Sequence, residues 1–266
     1  MRLLNSFIAG ATVLLGGFLS VSKINFSIFL AGLSTIFITI GGNLINDFFD
    51  LPIDKINKPE RPIPSGKIKK NEALLISIIL FLFGNILLSF LGLKLLIVGF
   101  TATILLIIYT PFLKKLPLIG NIIIASLLSL TIIVGGVASS RPLGIKNAIL
   151  PSLLIFLLNF PRELLKDGED LIGDREAGLR TFPVVYGIRK TRLLAIFLLW
   201  VLFFSVLGSS FIFGKLFASC AIPGIAVPIL IVIKKSSPTP LWFSAAQRIL
   251  KILIFPGFIS LFISKL

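Results

Sequence analysis

Apolar runs about twenty residues long, each bounded by Lys, Arg, Pro or Gly, recur along almost the whole chain and predict membrane-spanning helices. They fall at roughly 4–22, 26–46, 73–91, 95–113, 116–138, 147–165, 193–213, 215–233 and 249–264. The expected fold class is therefore an all-α membrane protein of about nine transmembrane helices, one polytopic unit over residues 1–266. The apolar stretch 7–19 behind Arg2 also has the outline of a secretory signal; here it is counted as a span.

Composition supports the pattern. A mean hydropathy of +1.06, 56% apolar residues and 25 Phe exclude an ordinary soluble domain. Charge then sets an orientation. If the nine spans alternate sides, twenty of the 26 Lys and Arg residues fall on one face, and Lys23, Lys94, Arg141, Lys146, Lys215 and Lys265 on the other. The basic face is expected to be cytoplasmic, in a multi-pass protein of the cell membrane. The net charge of +15 fits this bias and equally fits a site for polyanions. Nucleic acid is not an expected partner, because there is no soluble basic module to hold it. Membrane lipids are. A lone Cys220 excludes an intrachain disulfide, and the absence of His argues against zinc and imidazole chemistry.

The candidate chemistry lies in the acidic residues. All eleven Asp and Glu fall between 47 and 72 or between 163 and 176. Asp47, Asp50 and Asp54 form D-x-x-D-L-x-x-D, and Asp167, Asp170 and Asp174 repeat it 120 residues later. Each row sits at the cytoplasmic end of its span, the second and the sixth, which run in the same direction. Two parallel four-helix halves plus one helix are the expected plan. On a helix Asn43, Asn46, Asp47, Asp50 and Asp54 share about 100° of arc, and Glu163, Asp167, Asp170 and Asp174 about 60°. Pro52 disturbs the first row and places Asp54 in a kinked or newly started turn, while Gly168 and Gly173 bend the second.

Carboxylates at a helix C-terminus oppose its dipole and repel each other. A cation must compensate. Neighbouring Lys and Arg would make the rows a salt-bridged surface patch, whereas Mg²⁺ binds through a few carboxylates and substrate phosphates. Metal and basic residues together are what a reaction that expels diphosphate requires.

The stretch from Asn46 through Asp47, Asp50, Asp54 and Arg61 to Gly66 resembles the first Asp-rich motif of the UbiA superfamily of intramembrane prenyltransferases. Arg162 to Asp174, followed by Arg180-Thr-Phe-Pro-Val, resembles the second, and Tyr109-Thr-Pro-Phe-Leu-Lys114-Lys115 resembles the tyrosine/lysine segment between the fourth and fifth helices. The resemblance implies a ring of nine helices around a central cavity and an isoprenyl diphosphate donor bound with Mg²⁺. Carried over by position, Asp47, Asp50, Asp54, Asp167, Asp170 and Asp174 would hold the metal. Asp50, Asp54, Asp170 and Asp174 would also act catalytically. Asn46, Arg61, Lys114 and Lys166 would contact the diphosphate, and Tyr109 would steady the allylic cation or the phosphate. Read without the resemblance, Tyr109 is equally an interfacial aromatic, and Lys114 and Lys115 equally topology charges. Phe48, Phe49, Phe81 and Phe83 are candidate cavity walls or plain core packing.

Within the superfamily the acceptors include aromatic acids, naphthoates, haem, chlorophyllide and the glycerol phosphate ethers of archaeal lipids. Abundant Ile and Lys suit a thermophile with an AT-rich genome, and the wording D-K-I-N-K-P-E-R-P-I-P-S-G looks most like the archaeal branch. The expected reaction transfers a geranylgeranyl group to the hydroxyl of geranylgeranylglyceryl phosphate. That lipid-like acceptor carries its own phosphate, for which Lys67, Lys69, Arg162 and Arg180 are available. Three other readings stay open. An aromatic acceptor would favour an Arg deep in the early helices, and spans one and two have none. A secondary transporter would place polar groups near the bilayer midplane. A CDP-alcohol phosphotransferase would carry a D-G-x-x-A-R run, which is missing.

Overall fold

In hydrocarbon every backbone N–H and C=O must be satisfied within the chain, and uninterrupted apolar runs meet that demand as helices. The computed structural model describes residues 2–57, 59–141 and 143–266, leaving aside the side chains at 2, 53, 56 and 57. Lys58 and the Arg2 side chain, both counted in the charge asymmetry, lie outside that description. Among the described residues no strand occurs, and each predicted span contains a helix.

The first five are α1 (Arg2–Val21), α2 (Phe26–Phe49), the short α3 (Leu51–Asn57), α4 (Lys70–Ser89) and α5 (Leu93–Tyr109). A 3₁₀ turn at Leu113–Lys115 leads to α6 (Ile119–Ala138) and α7 (Gly144–Glu169). Then come the short α8 (Leu171–Glu176) and α9 (Phe182–Tyr186), and the long α10 (Ile188–Ala221). A π-turn at Ile222–Ala226 joins α10 to α11 (Val227–Lys234), and α12 (Pro240–Ile252) and α13 (Ile254–Ile263) close the chain.

Seven of these runs are long and apolar enough to cross a membrane, and α5 is a shorter apolar helix. One of the seven, 188–234, is long enough for two crossings. It is interrupted at Gly214, whose φ of 84° lies in the left-handed region open to glycine. The predicted boundary between spans at 213 and 215 falls on that break. The last span starts earlier than expected, at Pro240, because Thr239 caps α12 by accepting from the Trp242 N–H at 3.4 Å. α12 is amphipathic. It buries Trp242, Phe243, Ala246 and Leu250 and carries Ser244 and Gln247 beside them, so no continuous apolar run announces it.

The chain divides into two compact units. The first comprises residues 1–115 and 131–145, with α2 packed against α1, α4 and α5. Small residues let these helices approach closely, as expected where lipid removes the hydrophobic drive for association. A Cβ on Gly135 would fall 1.9 Å from the Val13 carbonyl oxygen, and one on Gly16 would fall 2.0 Å from that of Ile132. This contact draws the second half of α6 onto α1, so the unit is larger than the expected four helices. Ser34 Oγ donates to the Gly84 carbonyl at 2.7 Å and ties α2 to α4. Phe81 is buried against Gly41 and fills the space between those helices, while Phe83 is largely exposed and meets Phe37 edge-on.

The second unit comprises residues 116–130 and 146–266. Its α7 is bonded to the first half of α6 by Ser152 Oγ, which donates to the Ser129 carbonyl at 3.0 Å. Trp242 Nε1 donates to the Val232 carbonyl at 3.2 Å and fixes α12 to α11.

Candidate active site

Both acidic rows bend the backbone in the same way. α2 ends at Phe49, Asp50 caps it, and α3 restarts with Pro52 in its first turn, where a missing N–H costs nothing. α7 ends at Glu169, and Asp170 caps the restart of α8. The bonds match position for position. Asp50 N donates to the Asn46 carbonyl and Asp54 N to that of Asp50, both at 2.8 Å; Asp170 N donates to the Lys166 carbonyl and Asp174 N to that of Asp170, both at 2.9 Å. The repeat therefore exists in three dimensions as a helix, a one-residue break and a short second helix.

In the first row the cations come from the segments that follow α3 and α5. Lys114 Nζ, on the 3₁₀ turn behind α5, reaches both oxygens of Asp50 at 2.8 and 3.0 Å. Arg61, in the loop behind α3, bonds Asp54 and stands 3.7 Å from Asp47. None of the five groups, Asp47, Asp50, Asp54, Arg61 and Lys114, exposes more than 23% of its side chain. Their interaction is correspondingly less screened than that of a surface pair. Asn46 Oδ1 accepts from Thr110 Oγ at 2.6 Å, and Asn43 Nδ2 donates to Ser6 Oγ at 3.1 Å. Tyr109 is the last residue of α5, one position before Thr110. Lys67 stands exposed in the loop beyond Arg61.

In the second row the cations gather on Glu163. Arg162 reaches it at 3.1 Å and Lys166 at 3.4 Å, and Arg162 also donates to Asn159 Oδ1 at 3.3 Å. Lys166 lies within the electrostatic reach of Asp167 and Asp170 as well. Asp167 Oδ2 accepts from Asn121 Nδ2 of α6 at 2.7 Å, and Asp174 Oδ2 accepts from Thr181 Oγ at 3.1 Å.

The third Asp of each row holds the side chain seven residues on, Arg61 in one case and Thr181 in the other. Each tie folds a basic loop back on its short helix. A buried aliphatic seats each loop as well, Ile63 in the first and Leu179 in the second, the latter donating its N–H to the Asp174 carbonyl at 2.9 Å.

Four contributors were not singled out in the sequence: Thr110, Asn121, Asn159 and Thr181. Asn121 could have been, as an amide inside a 20-residue apolar helix that is buried and needs a partner. Thr110 and Thr181 carried no such signal beyond adjacency to Tyr109 and Arg180.

Among the described residues no three acidic side chains are grouped so as to hold a metal ion by themselves. The donor chemistry of the rows is carboxylate oxygen throughout, with Asn46 beside it.

Three comparisons bear on this arrangement. The digeranylgeranylglyceryl phosphate synthase of Methanospirillum hungatei is 40% identical over 197 residues, 74% of this chain and 70% of that protein. A structure solved in a study of digeranylgeranylglyceryl phosphate synthase in membranes superposes with a TM-score of 0.76 at 30% identity, covering 100% of this chain and 99% of the other. A UbiA homologue from Archaeoglobus fulgidus, bound to GPP and Mg²⁺, shares the fold at 19% identity, with a TM-score of 0.71 over 97% of this chain and 96% of its own. The family model described as the UbiA prenyltransferase family matches residues 5–250, taking in both acidic rows, Lys114 and almost every helix. The chain belongs to the UbiA prenyltransferase family.

Proposed function

We propose that this chain transfers a geranylgeranyl group from geranylgeranyl diphosphate to the hydroxyl of geranylgeranylglyceryl phosphate, releasing diphosphate. The observation that carries the reading is the placement of Lys114 on Asp50 and of Arg61 between Asp47 and Asp54. Cations already seated on carboxylates are poised to exchange them for the oxygens of an incoming diphosphate. The acceptor follows the relatives, which are named for that product along about three quarters of the chain.

The rows fit Mg²⁺. Their donors are hard carboxylate oxygens, the type Mg²⁺ takes alongside substrate phosphates. Asp47, Asp50 and Asp54 would supply the protein ligands of the first row, and Asp167, Asp170 and Asp174 those of the second. Bound there, Mg²⁺ would neutralise the charge that gathers on the departing diphosphate.

The chain's own side chains do the rest. Lys114, Arg61 and Lys166 bind diphosphate oxygens, and Asn46 orients them through its carboxamide. Arg162 and the exposed Lys67 supply positive charge for the acceptor's phosphate. The bond between C1 of the prenyl chain and the diphosphate oxygen breaks, and its electron pair leaves with the diphosphate. Tyr109 steadies the positive charge left on the allyl group. The acceptor hydroxyl oxygen then bonds C1 and sheds its proton. Apolar side chains exclude water, which would otherwise compete as nucleophile.

Residues 1–266 are read as one prenyltransferase domain, in a multi-pass protein of the cell membrane whose rows face the cytoplasm on the strength of the basic-residue asymmetry. One assay tests the acceptor. Purified protein with geranylgeranyl diphosphate and Mg²⁺ is offered geranylgeranylglyceryl phosphate or 4-hydroxybenzoate. The expected product is the lipid diether alone; transfer only to the aromatic acid would overturn the assignment.

A further inference from the structure

Glu169 fills an unspecified position of the D-x-x-D-L-x-x-D pattern, yet both of its carboxylate oxygens are taken. Ser244 Oγ donates to Oε1 at 2.7 Å and Gln247 Nε2 donates to Oε2 at 2.9 Å, both from α12. The residue before it, Gly168, lies against the Phe243 ring so closely that a Cβ there would meet Cδ1 at 2.3 Å. Phe243, Ser244 and Gln247 occupy one face of α12, at positions i, i+1 and i+4. α12 is thereby pressed onto the last turn of α7, and only a glycine at 168 lets it come near enough for the two hydrogen bonds to form.

We infer that Glu169 is a positioning residue, which with Ser244 and Gln247 clamps the end of α7 and so aims Asp167 and Asp170 at the metal-bound diphosphate. Glu169 is the final residue of α7, and Asp170 follows it in the break, with φ −86° and ψ 6°. Fixing Glu169 fixes where the helix stops. That sets the direction in which Asp170 leaves it. From the other side Asn121 of α6 holds Asp167 Oδ2 at 2.7 Å, so this last turn is gripped through two of its own carboxylates by two different helices. The clamp's donors, a hydroxyl and a carboxamide, bring no charged side chain of their own against Glu169. Outer groups that orient ligating carboxylates typically change metal affinity by about ten- to a hundredfold when removed.

The inference rests on the functional reading above, and its test does not depend on turnover. Binding of Mn²⁺ by the full-length protein in detergent, in the presence of inorganic diphosphate, is followed by loss of the free-ion electron paramagnetic resonance signal. Glu169→Ala, and separately the pair Ser244→Ala with Gln247→Ala, are expected to weaken binding about tenfold. The latter variant keeps every acidic residue and serves if Glu169→Ala does not fold. The exchange Glu169→Gln with Gln247→Glu, which rebuilds the clamp with its charge on α12, is expected to recover binding to within about threefold of the wild type. A merely structural contact would shift thermal unfolding and leave the affinity unchanged. Equal affinity in wild type and both alanine variants, or an exchanged protein as weak as they are, overturns the clamp while leaving the functional reading intact. Failure of the wild type to take up Mn²⁺ with diphosphate contradicts the functional reading itself.

Discussion

Replacing Asp50 or Asp170 by Ala lowers the rate of prenyl transfer by about a thousandfold, or ~4 kcal/mol of transition-state stabilisation, while the protein still purifies folded in detergent. Asp50 accepts from Lys114 through both oxygens. Its removal takes away a metal-holding carboxylate and frees Lys114 from the position it needs. Asp170 has the matching place in the second row, capping the restart after α7. The folded state is spared for a physical reason. Both residues sit at breaks between helices and are only half-buried, and the backbone bonds that close those turns, Asp50 N to the Asn46 carbonyl and Asp170 N to the Lys166 carbonyl, do not involve the side chains. Steady-state transfer assays beside circular dichroism separate the two effects. Activity retained in both variants would contradict the assignment of the rows.

Removing the divalent cation has an effect of the same order. With excess chelator, release of diphosphate from geranylgeranyl diphosphate is expected to fall by more than about a hundredfold and to return when Mg²⁺ is restored. Without metal the first row still carries its internal cations, Lys114 on Asp50 and Arg61 on Asp54. They compensate the carboxylates but leave the departing diphosphate without the charge it needs. Ca²⁺ is expected to be a poor substitute, since it prefers longer bonds and more ligands than the rows and a diphosphate supply. Full turnover in chelator would remove the metal from the account.

Much of the fold was legible in sequence because the signal is simple. Runs of hydrocarbon about twenty residues long mark spans wherever they occur, and even the break at Gly214 coincided with a predicted boundary. α12 was cut short for the converse reason: Ser244, Gln247, Arg248 and Lys251 interrupt its apolar run, and its start is set by Thr239 and Pro240 rather than by hydropathy. The bend in the first row was foreseeable from Pro52. The equivalent bend in the second has no proline; its break falls at Asp170, between two weak helix formers, Gly168 and Gly173.

The rows themselves stood out because acids are scarce here and repeat at a fixed offset. Their pairings did not. Which polar group meets Asp50, Asp167 or Glu169 depends on how helices far apart in sequence pack, and Lys114, Asn121 and Gln247 are 64, 46 and 78 positions away from those carboxylates. The glycines that permit such approaches, Gly168 beneath Phe243 and Gly135 beneath Val13, look in sequence like any other glycine of an apolar helix.

That both rows work on the same transfer step is the centre of this account, and a double-mutant cycle on Asp50→Asn and Asp170→Asn tests it most directly. Groups acting as one unit are strongly non-additive. If each single change costs about a hundredfold in kcat/KM, the double variant is predicted to lie within about threefold of the slower single. Losses that multiply, to about ten-thousandfold, would mean that the rows act independently and would contradict the account.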